Sequence, residues 1–308
     1  VILDDGSLPM EIAQAAFDEA RKAGKKVFTR AYGPVMFPKD AALLGSSSLP
    51  HSAGIGIAVT RDPSKWKEGR DDQNELDRFA EMDDAKAKAL IDVLVAHKVA
   101  LVPTLVINFP GYPKDWARFV AEGRQLFADP DLRSYYPQSA IDSVFARFAR
   151  NDQGAVRERR MKGYENALRF HKMFADAGGR IVISGNTNST KAPGLDLQHE
   201  IQVMTDAGLS PMYIVQGLTK WPAEMIGKEA LLGTIEAGKL ADVIVLGKNP
   251  LEDTRNFNAV ETVIQDGRMI ERGYHAGYTD PFLNLGEASV DGLSWFVALK
   301  NVRRPGGN

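Results

Sequence analysis

The chain has 308 residues, 44% hydrophobic and 25% charged, which suffices for one barrel-sized domain or two smaller ones around a sizeable core. A formal net charge of -2, with no cluster of Lys and Arg interleaved with aromatics, excludes the electrostatic footprint of nucleic-acid binding. Zero cysteines exclude a disulfide scaffold and a thiolate metal site, and leave a cytoplasmic, periplasmic or secreted location equally open.

From Val1 onward the pattern alternates short apolar runs with amphipathic helices, which predicts an α/β fold with a parallel sheet. VILDD reads as a strand. A helix is predicted over Pro9 to Ala23, with apolar Ile12, Ala16 and Ala20 at four-residue spacing and Gly24 as its stop. Lys25 to Gly33 and Ser46 to Gly54 are strands running into turns, separated by a brief helix around Asp40 to Leu44. Residues 60 to 82 are polar and aperiodic at first and read as a surface loop. A helix from Asp83 to Lys98 delivers VALVPTLVI, an apolar run typical of a strand buried on both faces. The window Ala89 to Ile107 has the length of a membrane span, but Asp92, His97 and Lys98 in its middle argue against one.

Residues 108 to 154 interrupt the alternation with an aromatic-rich insertion long enough to carry its own helices. A helix over Ala155 to Ala177 then leads to the strand RIVISGN. Helices follow near Leu195 to Ala207, Pro211 to Leu218 and Pro222 to Ile226. Three short strands, ADVIVLG, AVETVIQ and GRMIERG, come last, with Asp266-Gly267 as a hairpin signal between the last two.

The stretch ISGNTNSTKAPGLDLQHEIQVMTDAGLSP, Ile183 to Pro211, with GTIEAGKLADVIVLGKNPLEDTRN, Gly233 to Asn256, resembles the C-terminal third of the amidohydrolase superfamily, in its branch of imidazolonepropionase-like and prolidase-like enzymes. The resemblance implies the second half of a (β/α)8 TIM-like barrel with a small β-sandwich domain at the C-terminal end. Residues 1–230 would be the barrel portion, 231–273 the sandwich strands and 274–308 a C-terminal tail outside the resemblance. A half barrel leaves open strand edges, so an upstream segment of the same polypeptide or another chain is expected to complete it. A larger assembly or homo-oligomer is the associated expectation.

The resemblance also implies where chemistry should sit, at the C-terminal ends of the strands, where this family holds divalent metal with imidazoles and carboxylates. Arg30 and Tyr32 occupy the two positions of the family's fifth-strand His-x-His, and arginine cannot ligate a metal. His51 keeps the sixth-strand histidine and is the candidate metal ligand. At the eighth strand the family reads Gly-Thr-Asp; here Gly185 and Asn186 precede Thr187, which stands at the position of the proton-accepting Asp. Asn186 or Asn188 reaches that place with a shift of one, and none of the three is a carboxylate. No catalytic residue is therefore assigned, and Arg30, Tyr32, Asn186 and Asn188 are candidate substrate-binding groups. Plainer readings stand beside these: an ion pair for Arg30, a hydrogen-bonded structural histidine for His51, and turn formation for the asparagines.

His97 and His171 fall within predicted helices and read as structural, as does His199, and no Gly-x-Ser-x-Gly elbow or phosphate loop occurs. The expected function is that of an amidohydrolase-like protein: the family reaction, metal-dependent hydrolysis of C–N bonds in amides, cyclic amides or dipeptides, is lost or altered, leaving a scaffold or assembly role. One alternative is an active hydrolase with one zinc-like divalent ion held partly by ligands upstream of Val1. The other is a metal-free barrel that binds an anion.

Overall fold

The computed structural model describes residues 1–3, 8–66, 75–134, 138–149, 152–185 and 194–271. Five short strands form one parallel sheet in chain order: β1 (Ile2–Leu3), β2 (Phe28–Thr29), β3 (Ser48–Pro50), β4 (Ala100–Val102) and β5 (Arg180–Ile181). Each strand pairs with the next, as in Leu49 opposite Leu101 and Leu101 opposite Ile181. Parallel pairing requires a crossover, and helices supply each one.

Between β1 and β2 lies α1 (Met10–Lys22), whose buried face is Ala13, Phe17 and Ala20. Ile12, expected on that face, is exposed, because the helix turns it away from the sheet. α2 (Pro38–Leu44) links β2 to β3 and ends at Gly45, which takes the left-handed conformation that a side chain would disfavour. From β3 to β4 the chain runs through α3 (Ile55–Val59), α4 (Glu75–Ala80) and α5 (Asp84–Ala96), the last capped by Asp83 accepting from the Lys86 backbone N–H at 2.9 Å.

The surface loop expected over residues 60 to 82 does not hold at its end, since Leu76, Asp77, Arg78, Phe79 and Ala80 of α4 are buried. Asp77 is neutralised by partners distant in sequence, Arg159 Nε and Arg160 Nε donating to it at 2.7 and 3.1 Å, and Arg78 by Glu75 one turn away at 3.0 Å. The apolar run after α5 also divides. β4 stops at Val102, Pro103 removes a donor, Thr104 turns left-handed at φ 51, and Leu105–Asn108 is a short helix, α6.

The insertion carries α7 (Trp116–Leu126), α8 (Pro130–Ser134) and α9 (Gln138–Phe148). Phe127, Ile141 and Val144 close a satellite core there. α10 (Gly154–Asp176) returns the chain to β5 and packs closely on α4, with the Phe79 and Phe170 rings 6.3 Å apart. Contact is tight enough that a Cβ on Gly163 would lie 1.8 Å from the Leu76 carbonyl oxygen.

After β5 come α11 (Leu195–Asp206), α12 (Pro211–Leu218) and α13 (Lys220–Met225). The last strands, β6 (Val243–Leu246), β7 (Val260–Gln265) and β8 (Arg268–Met269), form an antiparallel sheet. Asp266 and Gly267 both take positive φ, 49 and 74, which suits the tight hairpin turn expected there. Ile244 and Met269 of this sheet are exposed, and among the described residues no second antiparallel sheet faces it. The tail from residue 272 lies outside the described residues. No described helix is long and apolar enough to cross a membrane.

Candidate functional site

The C-terminal ends of β2, β3 and β4 converge. Each ends where the backbone leaves the strand sharply: at Arg30, at His51 and Ser52, and at Pro103 and Thr104. His51, Ser52 and Thr104 hold left-handed φ values of 60, 48 and 51, unfavourable for residues with a Cβ and typical of backbone strain kept at functional positions.

Arg30 Nη2 lies 3.2 Å from His51 Nε2, and His51 Nδ1 lies 2.7 Å from Thr104 Oγ1. A guanidinium only donates, so Nε2 must be the acceptor and the ring proton sits on Nδ1. Thr104 Oγ1 accepts that proton and donates its own to the Pro103 carbonyl at 2.7 Å. The Asn108 amide adds a further bond to Pro103 O at 3.2 Å. The network thus assigns one neutral tautomer to His51 and leaves neither ring nitrogen with a lone pair for a metal. Among the described residues no group of three His, Asp or Glu side chains is placed to hold a metal ion. The described donors at this place do not fit a divalent metal ion.

Thr104 is itself held from behind. Glu200, fully buried on α11, accepts the backbone N–H groups of Leu105 and Val106 at 2.9 and 2.8 Å, buried donors that the first turn of α6 leaves without a partner inside the helix. Removal from water raises its pKa to about 7, against the pull of those two N–H groups, and nearby Asp196 adds to the rise.

A second histidine faces the same place. His171 on α10 has Nδ1 2.7 Å from Ala167 O and Nε2 2.8 Å from Ser52 Oγ. Nδ1–H therefore donates to the carbonyl, and Nε2 accepts from the serine hydroxyl. Burial pushes the His171 pKa down to about 4, so the ring is neutral at physiological pH. Tyr32, His51, Ser52, Arg78, Asn108 and His171 line one narrow cavity of about 20 Å³, room for about one water. Glu75 also lines it, accepting from Gly56 N–H at 2.7 Å and from Arg78 Nη1 at 3.0 Å.

Of the sites read from the sequence, Arg30 and His51 come together and Tyr32 lines the adjoining cavity. Asn186, Thr187 and Asn188 lie outside the described residues. His199 stacks on Phe119 at 3.9 Å between centroids and donates from Nε2 to Glu122 at 2.7 Å, which agrees with a structural reading. Ser52, Thr104, Glu200 and the role of His171 were not visible in the sequence. Their partners are 53 to 119 residues away, as in Thr104 with His51 and His171 with Ser52, and no local spacing reports such a contact.

Known proteins are similar to this chain in fold. The amidohydrolase family profile matches residues 156–270. No curated protein matches the chain. Among solved structures, the bottromycin amidohydrolase is similar with a TM-score of 0.55 at 19% identity, over 84% of this chain and 53% of that one. A prolidase candidate from Bifidobacterium longum gives a TM-score of 0.51 at 20% identity, over 88% of this chain and 53% of that one. Molinate hydrolase gives 0.50 at 18% identity, over 92% and 50%. These likenesses show the fold, and the chain spans about half the length of each structure.

Proposed function

We propose that this chain, whose residues 156–270 match the amidohydrolase family profile, is a partial β/α barrel in which metal-dependent C–N hydrolysis has been lost or altered and a scaffold or assembly role remains. The observation that carries the reading is the Arg30–His51 contact. At the fifth-strand position a permanent cation replaces an imidazole, and its N–H occupies the lone pair of the sixth-strand histidine. A guanidinium can supply positive charge beside a ligand, but it cannot lower the pKa of a bound water as a metal ion does. A cationic side chain at the end of β2, two residues before the cavity-lining Tyr32, supports the second reading, a barrel mouth that binds a small anion.

Metal analysis of the complete protein, purified without chelator and again after zinc loading, tests this. The expected result is no stoichiometric divalent ion that depends on His51. About one equivalent of ion, lost in His51→Ala, would overturn it and restore the active-hydrolase reading. Calorimetric titration with small carboxylates separates the remaining two: binding abolished by Arg30→Gln supports the anion-binding barrel, and no binding supports the scaffold.

A further inference from the structure

We propose that the outer edge of β6 is a pairing site for a second copy of this chain, joined strand to strand about a two-fold axis. β6 bonds to β7 on one side only, so among the described residues no strand meets the backbone N–H and C=O groups of its other edge. Val245 lies opposite Thr262 and Leu246 opposite Val260, which puts the extra residue of that bulge, Glu261, on β7 and leaves β6 itself unbroken.

Natural sheets blunt an open edge with charge, proline or brevity. β8, at the opposite edge of the same sheet, is two residues long and carries Arg268. β6 has four residues, Val243, Ile244, Val245 and Leu246, with no charge or proline among them. Successive side chains of a strand point to opposite faces, yet Ile244 is 60% and Val245 is 40% exposed, so the strand is open on both.

The residues that bound β6 select the occupant. A two-fold axis joins identical edges antiparallel, so that if one residue faces a second on the other copy, the second faces the first in return. With the axis at Val245, the two Val245 side chains face each other and each Ile244 faces the other copy's Leu246. In the same register each Asp242 faces the other copy's Lys248, and opposite charges across paired strands stabilise it. A shift of one residue would set Asp242 against Gly247 or Asn249 and lose both ion pairs. Asp242 is held at the strand end by one carboxylate oxygen, which accepts the Asp266 N–H at 2.8 Å, and its second oxygen can accept from an ammonium group. Lys248 is exposed. The contact uses neither Arg30 nor His51, so it stands or falls separately from the reading above.

This chain contains no cysteine, so Val245→Cys sets its single thiol on the proposed axis. Facing residues of antiparallel strands have Cα atoms about 4.5–5.5 Å apart, within the span of a disulfide. Oxidation of Val245→Cys in the complete protein should give a covalent dimer whose linked peptide, mapped by mass spectrometry, joins residue 245 to residue 245. Ile244→Cys, which faces Leu246, should not join to itself under the same conditions. Sedimentation of the unmutated protein over about 1–200 µM, where weak self-association is measurable, should show a reversible dimer. Val245→Lys sets two like charges face to face and should raise the dissociation constant roughly tenfold or more. If circular dichroism shows that Val245→Lys does not fold, the mapped cross-link decides alone. A monomer throughout that range, no peptide joining residue 245 to itself, equal self-linking by Ile244→Cys, or a folded Val245→Lys that dimerises as tightly as the unmutated protein would overturn the proposal.

Discussion

Arg30 Nη2 stands 3.2 Å from His51 Nε2, so the ring nitrogen that could otherwise offer a lone pair to a ligand is turned toward a cation of the protein itself. Because the guanidinium only donates, it holds the proton of His51 on Nδ1, where Thr104 Oγ1 receives it at 2.7 Å. Replacing Arg30 with Gln removes that constraint. Nitrogen-15 chemical shifts of the His51 ring should then report a mixture of tautomers in place of a single Nδ1–H form, and unchanged shifts would show that Thr104 alone fixes the ring.

The contact of α4 with α10 depends on the absence of a side chain at Gly163. In an ordinary helix Gly→Ala stabilises by up to about 1 kcal/mol, because alanine loses less backbone entropy. Here the new methyl would lie 1.8 Å from Leu76 O, and the helices must separate to admit it. Overpacking of this kind costs about 1–3 kcal/mol, which outweighs the propensity gain. Urea denaturation of Gly163→Ala should show a lower midpoint, and a raised one would mean the two helices are not pressed together.

Much of the barrel portion could be read from the chain, and the reason is visible in the residues that did not conform. The parallel strands announced themselves as brief apolar runs ending at turns, and Asp266-Gly267 marked its hairpin because the positive φ it needs has a local chemical signature. VALVPTLVI misled because an apolar run does not distinguish strand from buried helix, and only Pro103 hinted at the break after Val102. Glu75–Ala80 looked like loop because Asp77 and Arg78 are charged, yet their neutralising partners lie mostly on other elements. The site divided in the same way. Arg30 and His51 stood out by position within a known pattern and lie side by side in the fold, whereas Ser52, His171 and Glu200 acquire meaning only through contacts made by folding.

The ion pairs around Asp77 should be unequal in consequence. Asp77 is 3% exposed and accepts from two arginines, whereas Arg159 is 50% exposed and can be hydrated if its partner is lost. Asp77→Ala leaves the half-buried Arg160 without one of its two carboxylates and opens a polar gap, at a cost of about 2–4 kcal/mol. Arg159→Ala removes a mostly solvated partner and should cost about 1 kcal/mol or less. Chemical denaturation of the two variants checks the ordering, and equal losses would mean Asp77 is as solvated as Arg159.

Glu200 and His171 should give the stability of the protein opposing dependences on pH. The folded pKa of Glu200, about 7, lies above its ordinary 4.5, so the folded state keeps a proton that the unfolded chain releases. Its contribution is fully present below pH 4.5 and is lost as the pH rises to about 7. His171 does the reverse: its folded value of about 4 lies below 6.5, so the unfolded chain takes up a proton that the buried ring refuses. That contribution is present above pH 6.5 and is lost as the pH falls toward 4. The two slopes oppose each other where the windows overlap, and each is limited to about 1.4 kcal/mol per pH unit for one proton. Glu200→Gln removes the first slope, so relative to the unmutated protein its stability should gain with rising pH across 4.5 to 7. His171→Gln should show the opposite difference across 4 to 6.5. Urea midpoints measured at half-unit pH steps for all three proteins decide it. Parallel curves for Glu200→Gln and the unmutated chain would place Glu200 in contact with water, and with it the anchor of Thr104 behind His51.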